Sequence, residues 1–131
     1  MKLLAWNLAR RAEAWRFLLS SDADLAMLQE ASAPPEDIGK QIEVDPAPWQ
    51  IAGAGMHRPW RAAIANLSRQ IPITWIQANS IDTAETGELA VSRPGSLAAA
   101  SVTLPTGEDV IVISSYACWE KTHRSTNSHW I

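Results

Sequence analysis

Lys2-Leu3-Leu4-Ala5-Trp6-Asn7 and Asp24-Leu25-Ala26-Met27-Leu28-Gln29-Glu30 are the stretches that decide the fold. Each is a short apolar run that stops on a polar side chain, Asn7 in the first and Glu30 in the second. Both runs are apolar at nearly every position, the pattern of strands covered on both faces. Between them, Arg11 to Ser20 carries Ala12, Trp15, Leu18 and Leu19 at spacings of three and four. That apolar stripe predicts a helix packed on a sheet. Ser20-Ser21-Asp22 ends it with side chains that compete for backbone hydrogen bonds. The unit therefore reads strand–helix–strand, in which neighbouring parallel strands finish at one edge of the sheet. Ligands of open α/β sheets bind beyond that edge, so an amide and a carboxylate at the two strand ends are expected to converge. Alternation sets Leu3, Ala5 and Asn7 on one face and gives Ala26, Leu28 and Glu30 a common parity. The expectation is that Asn7 and Glu30 share a face.

Downstream, Pro35-Glu36-Asp37 opens a helix expected to reach about Val44, with proline and acids in its first turn, before Pro46 and Pro48 stop it. Trp49-Gln50-Ile51 is read as a short strand, Gly53 to Pro59 as a loop, and Arg61 to Leu67 and Ile73 to Gln77 as strands. Asn79 to Gly87 reads as a polar surface loop and Glu88 to Val91 as a short edge strand. Ser96 to Leu104 and Val110 to Tyr116 are β-rich runs joined by Pro105-Thr106-Gly107-Glu108-Asp109, a hairpin signal. Val110-Ile111-Val112-Ile113 is continuously apolar, so that strand is expected in the centre of its sheet. Glu120 to Ile131 is polar and is expected to begin a helix or to fray.

The chain has 131 residues, 47% hydrophobic and 19% charged, which suits one domain over residues 1–131. A chain of this size can bury roughly two-thirds of its unfolded surface. The net charge of −3 supplies no general pull toward nucleic acid or anionic membrane. Eight of the eleven basic residues are arginine; Arg10, Arg11, Arg58, Arg61, Arg69, Arg93 and Arg124 fall near strand ends or loops, where their forks suit phosphate. For most of them solvated surface charge is the simpler reading. The single cysteine, Cys118, excludes an internal disulfide framework and fits a reducing cytoplasm. Asn7, Arg10, Arg11 and Glu13 interrupt the apolar start, unlike a secretory signal, and no run approaches the ~20 apolar residues of a membrane span. Of seven tryptophans, Trp15 and Trp75 read as core, whereas Trp60, Trp119 and Trp130 are expected to line a surface cleft.

A carboxylate directly after a buried strand, such as Glu30, is a natural ligand for a hard cation; Mg²⁺ is held by one or two carboxylates plus waters and substrate phosphate oxygens. The competing role for Glu30 is a turn cap or a partner for an arginine. Asn7 can donate to a phosphoryl oxygen or orient a carboxylate; its competing role is an Asx turn closing the strand. The absence of glycine in Asn7-Leu8-Ala9-Arg10-Arg11 disfavours a dinucleotide site, whose backbone must approach a pyrophosphate.

The strand ending in Asn7, followed by the block Asp24 to Glu30 with its Leu-Gln-Glu close, resembles the endonuclease/exonuclease/phosphatase (DNase I-like) superfamily. The resemblance implies a four-layer αββα sandwich of mixed, mostly antiparallel sheets with flanking helices, present here in part. It implies Glu30 as a metal ligand, with Asn7 beside it as an active-site and metal-site residue. Tyr116, at the end of the strand Val110 to Tyr116, is similar to the catalytic-site tyrosine of the abasic-endonuclease-like branch; its plainer role is a rim aromatic. The implied cofactor is Mg²⁺ or Mn²⁺ and the implied substrate a phosphoester, nucleic acid among the options. The superfamily's later motifs, Gly-Asp-x-Asn and Ser-Asp-His, do not occur in these residues. His123 and His129 do not replace them, because neither follows an aspartate. The expectation is therefore an incomplete hydrolase domain that binds metal weakly, with its exposed sheet open to self-association or a complementing chain. The alternative is a non-catalytic remnant acting as an interaction module.

Overall fold

A computed structural model describes residues 1–53 and 56–117. Cys118, Trp119, His123, Arg124, His129 and Trp130, with the expected tail element from Glu120, lie outside the described residues.

The opening unit forms as its periodicity requires. Strand β1 (Leu3–Asn7), helix α1 (Ala12–Ser20) and strand β2 (Leu25–Ala31) follow in order. β1 and β2 pair in parallel, with Leu4 beside Ala26, Trp6 beside Leu28 and Asn7 beside Gln29. Helix α1 buries Ala14, Trp15 and Leu18. Its buried stripe uses Ala14 in place of the expected Ala12. Fully burying a large apolar side chain such as Trp15 (0% exposed) stabilises the fold by about 3 kcal/mol.

The second helix is shorter than its pattern predicts. α2 (Glu36–Gly39) is one turn, and the chain then turns into strand β3 (Glu43–Val44), because Val44 is taken up by pairing with a strand. The Gly53–Pro59 segment is not all loop: β4 (Ile51–Gly53) and β5 (Met56–Arg58) pair antiparallel. β6 (Arg61–Asn66) is wholly buried. β7 (Ile73–Ile76) follows, and β8 (Ala78–Ser80) then takes the first residues of the expected polar loop and pairs in parallel with β9 (Leu89–Val91). The hairpin forms as expected from β10 (Leu97–Thr103) and β11 (Asp109–Ser115).

The architecture is a mixed α+β sandwich. The first sheet has the order β1-β2-β6-β3 and the second β11-β10-β7. Leu4, Trp6, Ala26, Leu28, Ala63 and Ala65 face the helices in one cluster with Trp15, Leu18 and Ile38. Leu25, Met27 and Ile64 face the second sheet and pack on Ala98, Ala100, Val102, Val110 and Val112. Helices, first sheet and second sheet thus account for three of the four layers of the expected sandwich.

Two strands differ from expectation in the same way. Among the described residues β11 is an edge strand, not a central one, and its outward Ile111 and Ile113 are 58% and 49% exposed. β1 is covered on one face only: Leu3, Ala5 and Asn7 are exposed while Leu4 and Trp6 are partly buried. A run apolar at every position marks two sticky faces; it does not guarantee that both are covered.

Candidate functional site

Asn7 closes β1 and its side chain serves two bonds. Its Oδ1 accepts from the Ala9 amide at 2.9 Å, the expected Asx turn, while its Nδ2 donates to Glu30 Oε1 at 3.1 Å. The two residues singled out at the strand ends do meet.

The face argument that paired them needs correction. Asn7 stands beside Gln29, on the face of Ala5 and Met27, so strict alternation would send Glu30 to the opposite, helix-facing side with Leu28. The ladder from β2 to β6 instead shifts register between Leu28 and Ala31, and Glu30 adopts φ +46°. That bulge re-aims the Glu30 side chain, the effect such irregularities have at sheet ends. Glu30 accordingly lies within β2, not just beyond it.

The loop after Asn7 is fastened to the same bulge. The Leu8 amide donates to the Gln29 carbonyl and the Arg10 amide to the Glu30 carbonyl, both at 2.9 Å. Ala9 and Arg10 take φ +47° and +62°, the left-handed region that non-glycine residues enter only at a cost. Three strained residues thus surround one hydrogen bond between side chains. Such conformations persist where the surroundings over-determine them, and they cluster at functional sites.

The Glu30 carboxylate is not sealed: its side chain is 20% exposed, and Oε2 lies a loose 3.7 Å from Arg10 Nε, itself 61% exposed. Sequence reasoning counted Arg10 only among arginines suited to phosphate; its place three residues past the strand end was the available signal. Arg10 also lies 5.9 Å from the Trp60 ring, which carries Arg58 at 4.5 Å and meets Tyr116 edge-on at 5.3 Å. Tyr116 therefore joins the rim by way of Trp60 and Arg10. Its strand is anchored there because Ser114 Oγ donates to the Leu28 carbonyl at 2.7 Å and accepts from Gln29 Nε2 at 3.3 Å. Trp60, expected to line a surface cleft, is half-buried and packs against Tyr116 and Arg58.

Arg61 does not belong to the rim. It is 1% exposed, paired with Asp45 at 2.7 Å, bonded to the Ala47 carbonyl and stacked 4.0 Å over Trp49. A cavity of about 600 Å³ lies on that side, lined by Asp45, Ile51, Arg61, Trp75 and Gln77 among others, and it includes none of Asn7, Glu30 or Tyr116.

For a divalent cation, the rim offers one open carboxylate oxygen and an amide oxygen already engaged with Ala9. Among the described residues no three His, Cys, Asp or Glu side chains gather as a metal cage. The donor set fits a hydrated Mg²⁺ or Mn²⁺ that keeps most of its waters and does not fit a closed protein site. Among the described residues no helix is long and apolar enough to cross a membrane.

Fold and rim together define a mixed α+β sandwich with a polar, strained site at the carboxyl ends of two parallel strands. Comparison with family models, with curated proteins and with solved structures finds no match.

Proposed function

We propose that the rim is the cation-binding part of a phosphoester hydrolase site of the endonuclease/exonuclease/phosphatase kind, and that these 131 residues alone bind the cation weakly and turn over little. The observation that carries this reading is the Asn7 Nδ2 bond to Glu30 Oε1 at 3.1 Å. It fixes the carboxylate and leaves the second oxygen turned to an exposed, loosely held arginine. Glu30 would hold Mg²⁺ or Mn²⁺ through that oxygen, and the cation when bound polarises a phosphoryl oxygen and stabilises developing charge. Asn7 orients the carboxylate. Arg10 exchanges a loose ion pair for a bidentate hold on phosphate, which its planar fork favours. Tyr116 and Trp60 border the substrate with a hydroxyl and an aromatic face. The substrate class is a phosphoester, nucleic acid included, and the single thiol fits a cytoplasmic protein.

A second reading is a non-catalytic interaction module. It is favoured by one observation: among the described residues no three His, Cys, Asp or Glu side chains gather as a metal-binding group. A general base typically contributes 10²–10⁴-fold, about 3–5 kcal/mol of barrier, so its loss would leave binding without turnover.

Calorimetric titration with MnCl₂ and hydrolysis of bis(p-nitrophenyl) phosphate test both. Expected are a dissociation constant on the order of millimolar, lost in Glu30→Ala, and turnover near background. Strong turnover abolished by Glu30→Ala would overturn the module reading; cation binding unchanged by Glu30→Ala would overturn the phosphoester reading.

A further inference from the structure

The cavity beside the Arg61–Asp45 pair is separate from the Asn7–Glu30 rim. It lies where the end of β7, the start of β10 and the segment from Asp45 to Ala52 meet, and it measures about 600 Å³. Sites that enclose small organic molecules measure roughly 300–1,000 Å³. The space exists because much of its wall is small: Ala47, Ala78, Gly95, Ala98 and Ala99 all line it.

The walls are held in place without a ligand. Arg61 Nη2 donates to the Asp45 and Ala47 carbonyls at 3.0 and 2.9 Å, which fastens the proline-bearing segment to β6. The Asp45 amide bonds to the Ile64 carbonyl at 3.1 Å. Pro46, Pro48 and Pro94 fix their own backbone φ. Gly95 takes φ +76°, and Ile51 packs on it so closely that a Cβ there would stand 2.8 Å from Ile51 Cγ1. Walls already ordered in this way cost little further entropy when a molecule binds.

The chemistry of the lining defines the occupant. Its only charged side chains among the described residues are Arg61 and Asp45, which neutralise each other at 2.7 Å. An incoming ion would find no counter-charge, and burying a charge unpaired is costly. Trp75 supplies an aromatic wall, with Ile51, Ile76 and Leu97 as apolar neighbours. Gln77 gives its Nε2 to Asn79 Oδ1 at 2.9 Å, so its own amide oxygen is the group it offers, an acceptor.

We propose that this cavity is a binding site for an uncharged aromatic small molecule carrying an N–H or O–H donor. The ring lies against Trp75 and the aliphatic side chains, and the donor bonds to Gln77 Oε1. The site stands apart from the phosphoester reading, since it uses neither Asn7 nor Glu30 and its neutral lining disfavours phosphate.

Titration of the isotope-labelled full chain with 2-naphthol, read by amide and indole resonances, tests it. The control is 6-hydroxynaphthalene-2-sulfonate, which keeps the ring and the hydroxyl and adds a negative charge. The neutral probe is expected to shift the Trp75 indole and the Gln77, Ala98 and Ala99 amides while leaving those of Asn7 and Glu30 in place. It is expected to bind about tenfold or more tighter than the sulfonate. Ala47→Trp narrows the cavity from an exposed position and should weaken binding about tenfold or more. Gln77→Ala, also exposed, should weaken it about fivefold, the worth of one hydrogen bond. Exposed substitutions leave the core intact, so both variants should keep the resonance pattern of the folded chain. Shifts that are absent, or confined to other surfaces, would overturn the proposal. So would equal binding of the sulfonate at the same resonances, or binding that either substitution leaves unchanged.

Discussion

Ser114 Oγ donates to the Leu28 carbonyl across 2.7 Å from a position only 1% exposed, and Gln29 Nε2 bonds to the same hydroxyl. This is a polar tie between two otherwise apolar sheet faces, and it lies next to the bulge that aims Glu30. Removing it in Ser114→Ala is expected to cost about 1 kcal/mol, the usual net worth of a buried hydrogen bond. Urea unfolding should show a lower midpoint at unchanged slope, since the surface exposed on unfolding is the same. An unchanged midpoint would mean that the bulge holds its place without the second sheet.

The strained residues at the rim separate a role in the site from a role in the fold. Ala9→Gly is expected to be neutral or stabilising by up to about 1 kcal/mol, because glycine accepts φ +47° without the Cβ clash, though it adds entropy to the unfolded chain. Ala14→Gly, inside α1, should instead cost about 1 kcal/mol from helix propensity alone. Glu30→Gly relieves φ +46° while deleting the carboxylate, so thermal stability should hold while manganese binding disappears. A large loss of stability in Glu30→Gly would show that the carboxylate serves the fold.

The parts of this fold legible in the sequence are those written in local periodicity. Trp15 and Leu18 mark the buried side of α1, and the turn at Gly107 marks the β10–β11 hairpin. What was not legible depends on partners distant in the chain. Nothing near Glu30 announces a bulge, because the position carries no glycine although its φ is positive. The alternation rule therefore put Asn7 and Glu30 together for the wrong reason: a straight β2 would have separated them. Ile111 and Ile113 looked central because a strand's own residues cannot say whether a neighbour covers them. Arg61 looked like surface charge because its partner, Asp45, lies sixteen residues earlier, beyond any helical or strand repeat.

The Arg61–Asp45 pair is expected to be the most sensitive polar position in the molecule. Asp45 is 7% exposed, and its Oδ2 accepts from both Arg61 Nη1 and the Ile64 amide at 2.9 Å. Arg61→Ala leaves a buried carboxylate without its counter-charge, and breaking a buried pair in this way costs about 3–5 kcal/mol. That is a large share of the ~5–15 kcal/mol by which domains are stable, so the variant should be largely unfolded by near-ultraviolet dichroism or melt far below the natural chain. A loss under about 1 kcal/mol, the worth of a surface ion pair, would show that the pair is open to water in solution.

Acid should loosen the contact between the two helices. The hydrogen bond from Arg16 holds the Asp37 carboxyl below its ordinary 3.8, aided by the positive charge of Arg16 and by backbone amides; the bond measures 2.8 Å. A carboxyl whose folded value is depressed gives stability that is complete above the unfolded value and is lost as pH falls through the folded one. The pair thus helps α1 grip α2 at neutral pH and lets go as pH falls below the ordinary 3.8 and through the depressed folded value. Both side chains are more than half exposed, so the effect is small and screened by salt. Asp37→Asn should lower the melting temperature slightly at neutral pH and low ionic strength, and the difference from the natural chain should vanish in acid and shrink in 1 M salt. A difference that persists in acid would mean that Asp37 acts through its backbone position in the first turn of α2 and not through its charge.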